Sequence, residues 1–285
     1  MDGSEPARRA VRWAAQEAGR RRVPLRVVTA FEWLFGRPIG QVGLGESYRE
    51  IMLGVARRQL AESVRMAQHE QPTLEVQSQL VVGFPIAVLT EEARRSQLVV
   101  IGDRGLGGVT GLLLGSVAVA LGAHADCPTV VVRDEAETPD SAAPVVVGVD
   151  GSPTSEAALA FAFEAAAARE VPLVAVHTWW DLLVDPSLAP LLDRDAIGDD
   201  ERRALAERLA GWGEKYPDVP IERLVRRDHP ARALVEQSQR AQLVVVGSRG
   251  RGGVAGLVLG SVSHAVLHRV HCPVAVVRPD TGEPG

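Results

Sequence analysis

The chain has almost no lysine. Lys215 is the only one among 31 basic residues, and the rest are arginine. A lysine-dependent phosphate loop or a lysine Schiff base is therefore nearly excluded by supply. Cysteine is as scarce, with Cys127 and Cys272 the whole complement. Two thiols make no disulfide framework, and they fit a reducing, cytoplasmic compartment. A basic surface is missing too. The net charge of −5 gives no footprint for nucleic acid or an anionic membrane. The opening MDGSEPARR lacks the apolar core of a signal peptide. Residues 105–125 are long enough and uncharged enough to raise the membrane question. Their glycines, and the Arg251, His264 and His268 of the matching later stretch, favour a loop followed by a buried helix. What remains is ordinary for a globular protein: 285 residues, 46% hydrophobic and 24% charged.

What is present is one unit written twice. QLVVIGDRGLGGVTGLLLGSVAVALGAHADCPTVVVR, from Gln97, matches QLVVVGSRGRGGVAGLVLGSVSHAVLHRVHCPVAVVR, from Gln242, at a spacing of 145 residues. DGSEPARRAVRWAAQEAGRRRVPLRVV, from Asp2, matches DGSPTSEAALAFAFEAAAAREVPLVAV, from Asp150, at a spacing of 148. The acidic, proline-bearing DEAETPDSAAP at residues 134–144 separates the copies as a linker. The expected domains are residues 1–133 and 145–279. Two copies of this size form a domain pair, whereas a solenoid needs shorter and more numerous repeats.

Strand and helix signals alternate through the second copy. Unbroken aliphatic runs at 145–149, 173–177, 243–246 and 274–277, with a weaker one at 221–225, predict five strands. Between them, 153–169, 201–212, 230–240 and 261–269 predict helices. Ser152 caps the first of these, Pro230 opens the third, and Leu205, Leu209 and Trp212 share one face of the second. Strands of this kind belong to a parallel sheet covered on both faces. The expectation is an α/β fold of two doubly wound parallel sheets in tandem, with ligands at the carboxyl ends of the strands.

On that edge lies GSRGRGGVAGLVLGS, residues 247–261, in which six of fifteen residues are glycine. Gly247 and Gly250 allow backbone angles closed to other residues and let a ligand near the main chain. Gly260 and Ser261 open a helix, whose unpaired N–H groups suit a phosphate without any lysine. Arg249 and Arg251 add charge-assisted donors. The first copy repeats the layout with Gly102, Arg104, Gly105, Gly115 and Ser116, but has Leu106 in place of Arg251. The blander reading is a glycine-rich connector, which a lone cluster usually is; the duplicated spacing weighs against it. The dinucleotide fingerprint is absent after the first strand, and neither copy carries the Gly-Lys-Ser/Thr of a phosphate loop.

With VVVGVDGS, LVAVHTW, the twice-met pattern G-x2-G-x9-G-[ST] and the trailing CPT or CPV, both copies resemble the universal stress protein (UspA-type) domain. The resemblance covers nearly the whole chain outside the linker and tail. It implies five strands in the order 3-2-1-4-5 and an adenine nucleotide as ligand, ATP with Mg2+ as its companion. It would set Asp150 against adenine, with Gly148, Val149 and Ser152 beside it and Thr178 contributing backbone contacts. Gly247, Arg249, Gly250, Gly260, Ser261 and Val262 would hold the phosphates. A second site would comprise Asp2, Ser4, Ala30, Gly102, Arg104, Gly105, Gly115, Ser116 and Val117. The resemblance also implies a pseudo-dimer of the two copies, or a homodimer, and a regulatory role in stress or dormancy. No general base is evident, which limits the expected chemistry to slow ATP hydrolysis. A scaffold that binds no nucleotide is the alternative; an enzyme of the wider adenine-nucleotide α-hydrolase-like group would need a catalytic constellation not found here.

The first copy departs from the pattern at its start. Met1 stands where the second copy has Val149, so the strand matching 145–149 is missing. Two unpaired sheet edges and an unfilled core are expected. A start codon placed upstream, with a valine-type codon read as Met1, would account for the gap. Other clusters carry less. His264, His268, His271 and Cys272 have metal-like spacing, but the first copy has Val119, Ala123, Asp126 and Cys127 there, so no metal is assigned. The cysteines read as buried, inert thiols. Asp228-His229 opens a loop near the ligand edge with no nucleophile partner, and Trp179-Trp180 is a self-packing lid or an adenine cover. Residues 32–50 and 181–200 differ most between copies, and partner choice is expected there.

Overall fold

The computed structural model describes residues 1–32, 46–105, 114–133, 141–180, 193–252 and 259–279. The chain divides into two compact units, Met1–Asp134 and Glu135–Gly285.

The first unit opens with α1 (Glu5–Arg21), which Ser4 caps by accepting from Ala7 N at 3.3 Å. Ala10, Val11, Ala14, Ala15 and Ala18 give α1 a buried apolar stripe. Then follow β1 (Leu25–Phe31), α2 (Glu46–Glu70), β2 (Val76–Val82), α3 (Pro85–Ala93), β3 (Val99–Gly102), α4 (Ser116–His124) and β4 (Thr129–Val132). The strands pair in parallel, but as two separate couples. β1 joins β2 from Leu25↔Val76 to Phe31↔Val82, and β3 joins β4 from Val99↔Thr129 to Gly102↔Val132. β1 and β2 stand as a two-stranded sheet of their own.

Among the described residues, the second unit has one strand more than the first. It runs β5 (Val145–Gly148), α5 (Pro153–Arg169), β6 (Leu173–Trp179), α6 (Arg194–Lys215), β7 (Ile221–Arg227), α7 (Pro230–Ser238), β8 (Leu243–Gly247), α8 (Ser261–Arg269) and β9 (Val274–Val277). β5 pairs with β6 on one side and β8 on the other. The order within the unit is β7-β6-β5-β8-β9, all parallel, which is the 3-2-1-4-5 arrangement expected from the sequence. Val145, Val146 and Val147 have no exposed surface, which is why so short a strand needs an unbroken aliphatic run. Ser152 caps α5, accepting from Ser155 N at 3.2 Å. Phe163, buried on α5, stacks on Trp212 and Tyr216 with ring centroids 5.6 and 5.5 Å apart, which fixes α6 against α5. No described helix is long and apolar enough to cross a membrane.

Candidate functional site

The carboxyl ends of β5, β6 and β8 bring three segments together. Asp150 follows β5, and its Oδ1 accepts from Ser152 N at 2.9 Å and Ser152 Oγ at 2.6 Å. Its Oδ2 accepts from Arg251 N at 3.0 Å, across 101 residues of chain. Burial disfavours the charge, but the hydrogen bonds from Ser152, Arg251 and Ser155 outweigh it and hold the Asp150 carboxyl below its ordinary range. Gly151 has φ +75, a left-handed angle that turns the chain from β5 into α5. Gly151 N donates to Ser155 Oγ at 3.0 Å.

The glycine loop is tied to this turn. Thr154 Oγ1 donates to the Arg249 carbonyl. Gly260 N donates to Ser248 O at 2.8 Å, and Ser263 Oγ to Gly247 O at 2.6 Å. Gly260 then serves as N-cap of α8, and no side chain caps the helix. Ser261 is exposed and Val262 half-buried at its first turn. Arg249, Gly250 and Arg251 are exposed on the loop, and Thr178 lies half-buried near the end of β6. The structure thus gathers the second-copy site residues at one edge of the unit.

The first unit reproduces the frame. Asp2 Oδ1 accepts from Ser4 N at 3.0 Å and Ser4 Oγ at 2.6 Å. Gly3 takes φ +83, and Gly115 N donates to Asp103 O at 2.7 Å. Gly115 is the uncapped N-cap of α4, which starts at Ser116 and Val117. Ala30 lies half-buried near the end of β1, and Arg104 Nε lies 3.8 Å from Asp103 Oδ2. The difference is at the start: the Met1 ammonium donates to Val28 O. Beside Met1 opens a cavity of about 1020 Å3 walled by α1, β1, β3 and the glycine turn.

The universal stress protein family model matches residues 1–133 and again 143–278. A universal stress protein of Mycobacterium tuberculosis is 42% identical over 288 residues, covering 98% of this chain and 95% of the relative. The chain belongs to the universal stress protein family. A second such protein of that organism is 43% identical over 286 residues, covering 98% of this chain and 94% of its own length. The crystal structure of a universal stress protein from Archaeoglobus fulgidus shares the fold, with a TM-score of 0.72 at 19% identity over 98% of this chain and 96% of that one.

Within this universal stress protein, the loop glycines do not use the backbone freedom they allow. Gly247 and Gly250 do not adopt left-handed angles; among the described glycines only Gly3 and Gly151 do. Both are glycine because the protein's own groups press on them. A Cβ on Gly247 would lie 2.8 Å from the Thr154 carbonyl, and one on Gly250 would lie 2.5 Å from Asp150 Oδ2. Gly102 and Gly105 meet Pro6 and Asp2 in the same way, at 2.7 and 2.6 Å.

Sequence reasoning also missed a polar bridge. His177, near the end of β6, places Nδ1 2.7 Å from Val149 O and Nε2 2.7 Å from Glu201 Oε2. The imidazole bridges the two and ties α6 to the Asp150 turn. The only sequence signal was a histidine inside an otherwise apolar strand. Trp180 stacks on His229 with centroids 4.4 Å apart, a pairing of two residues weighed separately from the sequence. His264 and His268 lie one turn apart on α8 with centroids at 4.6 Å, and no group of three metal-type ligands occurs among the described residues. Cys127 and Cys272 are buried thiols outside any disulfide. Burial pushes Cys127 up to about 11, so it stays protonated and unreactive near neutral pH. Leu106 and much of the two variable segments, 33–45 and 181–192, lie outside the described residues.

Proposed function

We propose that this universal stress protein binds an adenine nucleotide at the carboxyl edge of its second unit and acts as a nucleotide-dependent regulator in stress or dormancy. The observation that carries the reading is the uncapped start of α8, held beside Asp150 by backbone bonds from a lysine-free glycine loop. A helix start offers several N–H donors and a partial positive charge, a fit for phosphate oxygens. Arg249 and Arg251 stand exposed on the same loop and supply charge-assisted donors. ATP is the ligand of choice, with Asp150, Gly148, Val149 and Thr178 toward the base and Gly247, Gly250, Gly260, Ser261 and Val262 toward the phosphates. Mg2+ would arrive on the phosphates, because no dedicated carboxylate cage occurs among the described residues. Asp150 is already engaged by Ser152 and Arg251, so it organises the loop rather than serving as a general base. The role is that of a binding protein whose hydrolysis, where it occurs, is slow.

The second reading, a scaffold working through protein contacts, is favoured by one exposed apolar patch. Val82, Phe84 and Ile86, where β2 turns into α3, are 45%, 66% and 41% exposed. Thermal melting with rising ATP separates the readings. ATP at about 100 times its Kd stabilises the binding fold by about 2.7 kcal/mol, a shift of several degrees. Ser261→Asp keeps a good helix start but places a carboxylate at the proposed phosphate position, and it should remove that shift. A melting temperature indifferent to ATP supports the scaffold.

A further inference from the structure

We propose that Arg208 of α6 and Arg251 of the glycine loop form an anion site over Gly151 that takes a phosphoryl group, either the distal phosphate of a bound nucleotide or a free phosphate. The site lies where α6 meets the Asp150 turn, and it does not rest on the nucleotide reading.

The two guanidinium groups converge on one point. Gly151 sits in the turn between β5 and α5. A Cβ placed on it would collide with Arg208 Cζ and with Arg251 Nη2. Arg208 comes from the helix after β6, and Arg251 from the loop after β8. β5 pairs with β6 on one side and with β8 on the other, so the arginines reach over its exit from opposite sides. The loop that carries Arg251 is strapped down on this side, through Arg251 N to Asp150 Oδ2 and Thr154 Oγ1 to the Arg249 carbonyl.

Like charges held together repel unless an anion lies between them. The nearby carboxylates do not fill that place. Asp150 accepts from Ser152 and from the main chain of Arg251, and no ion pair joins it to either guanidinium among the described residues. Glu156 takes Arg208 Nη1 at 3.2 Å, which leaves Arg208 Nη2 over Gly151. The side chains of that pair are 36% and 41% exposed, so it adds little stability and serves to aim the arginine. A guanidinium presents a planar fork of donors, the geometry that phosphate oxygens accept in pairs.

The first unit supplies the contrast. There a Cβ on Gly3 would collide with Gln59 Nε2, from α2. Leu106 stands in the sequence where the second copy has Arg251. The same turn is therefore covered by a neutral amide in one unit and by two cations in the other. The turn itself does not require the charges.

The test is calorimetric titration of the full chain with inorganic triphosphate, ATP and AMP. It is repeated with Arg208→Gln, Arg251→Gln and Glu156→Gln. Triphosphate should bind the natural chain and weaken about tenfold in each arginine variant. Glu156→Gln breaks the same ion pair as Arg208→Gln but keeps the cation, so it should bind at least as tightly as the natural chain. ATP weakened with AMP unchanged would identify the phosphoryl group as a nucleotide's distal phosphate. ATP unchanged with triphosphate weakened would identify a free-phosphate site. Triphosphate that does not bind, or that binds equally to the natural chain and the arginine variants, would overturn the proposal. Equal losses in Arg208→Gln and Glu156→Gln would also overturn it, because they would reduce Arg208 to a structural ion pair. Failure of ATP and AMP to bind would sink the nucleotide reading alone.

Discussion

The two units carry the same turn, but the second adds hydroxyl bonds that the first has no side chains to make. In both, an aspartate accepts twice from the serine two residues on, a glycine with positive φ follows the aspartate, and the last loop glycine bonds back to the strand exit. In the second unit Thr154, Ser155 and Ser263 add hydroxyl bonds to Arg249 O, Gly151 N and Gly247 O. Pro6, Ala7 and Ala118 stand at the matching places of the first unit and have no hydroxyl to offer. β5 runs beneath the second turn, and a cavity lies beneath the first. The comparison teaches that the loop motif and its mechanical support are separable. A glycine-serine pattern can persist where the hydroxyls that brace it do not.

The sharpest way to break this comparison is to cut the same side chain in both units. Leu243, fully buried beside β5, should lose about 3 kcal/mol on change to Ala, measured by denaturant unfolding of the second unit. Leu98→Ala, at the matching but half-buried place, should cost only about 1 kcal/mol because no packed cavity is created. Equal costs would mean that the first core is as well filled as the second. Next in size is Gly247→Ala, whose new methyl meets the Thr154 backbone and should cost about 2 kcal/mol. Gly102→Ala meets Pro6 as closely, but α1 borders the open slot and can yield, so about half that loss is expected.

Smaller still is the effect of acid on the Asp150 turn. Its carboxyl is held below the usual range, so its contribution is present above the ordinary aspartate value of about 3.9 and is lost as pH falls through the folded value. Acid melting of the second unit should therefore steepen below about pH 4, and Asp150→Asn should flatten that limb. Thr154→Val, which removes the bond to Arg249 O, should cost about 1 kcal/mol at any pH and make the second turn behave more like the first.

Much of the fold was legible because apolar runs, caps and breakers coincide. α5 begins after the Ser152 cap, and α8 and β9 span the residues their patterns mark out. α6 is longer than its apolar face suggested. Its first turns are charged and leave no periodic signal, with Asp199 and Asp200 pairing to Arg202 and Arg203 at 2.6 and 2.5 Å. The residues that meet at the candidate site were legible from duplication, but their mechanics were not. The reason Gly247 is glycine sits on Thr154, 93 residues away in the chain, and no local pattern reports such a contact. The His177 bridge depends on the rotation of α6 about its axis, which the variable segment before it hides from sequence reasoning.

Calorimetric titration of the intact chain with ATP and Mg2+, repeated with Ser261→Asp and Ser116→Asp, tests the account most directly. The braced second turn should bind about one ATP per chain, with binding lost in Ser261→Asp and unchanged in Ser116→Asp. Binding that survives Ser261→Asp, or that vanishes in Ser116→Asp, would contradict it.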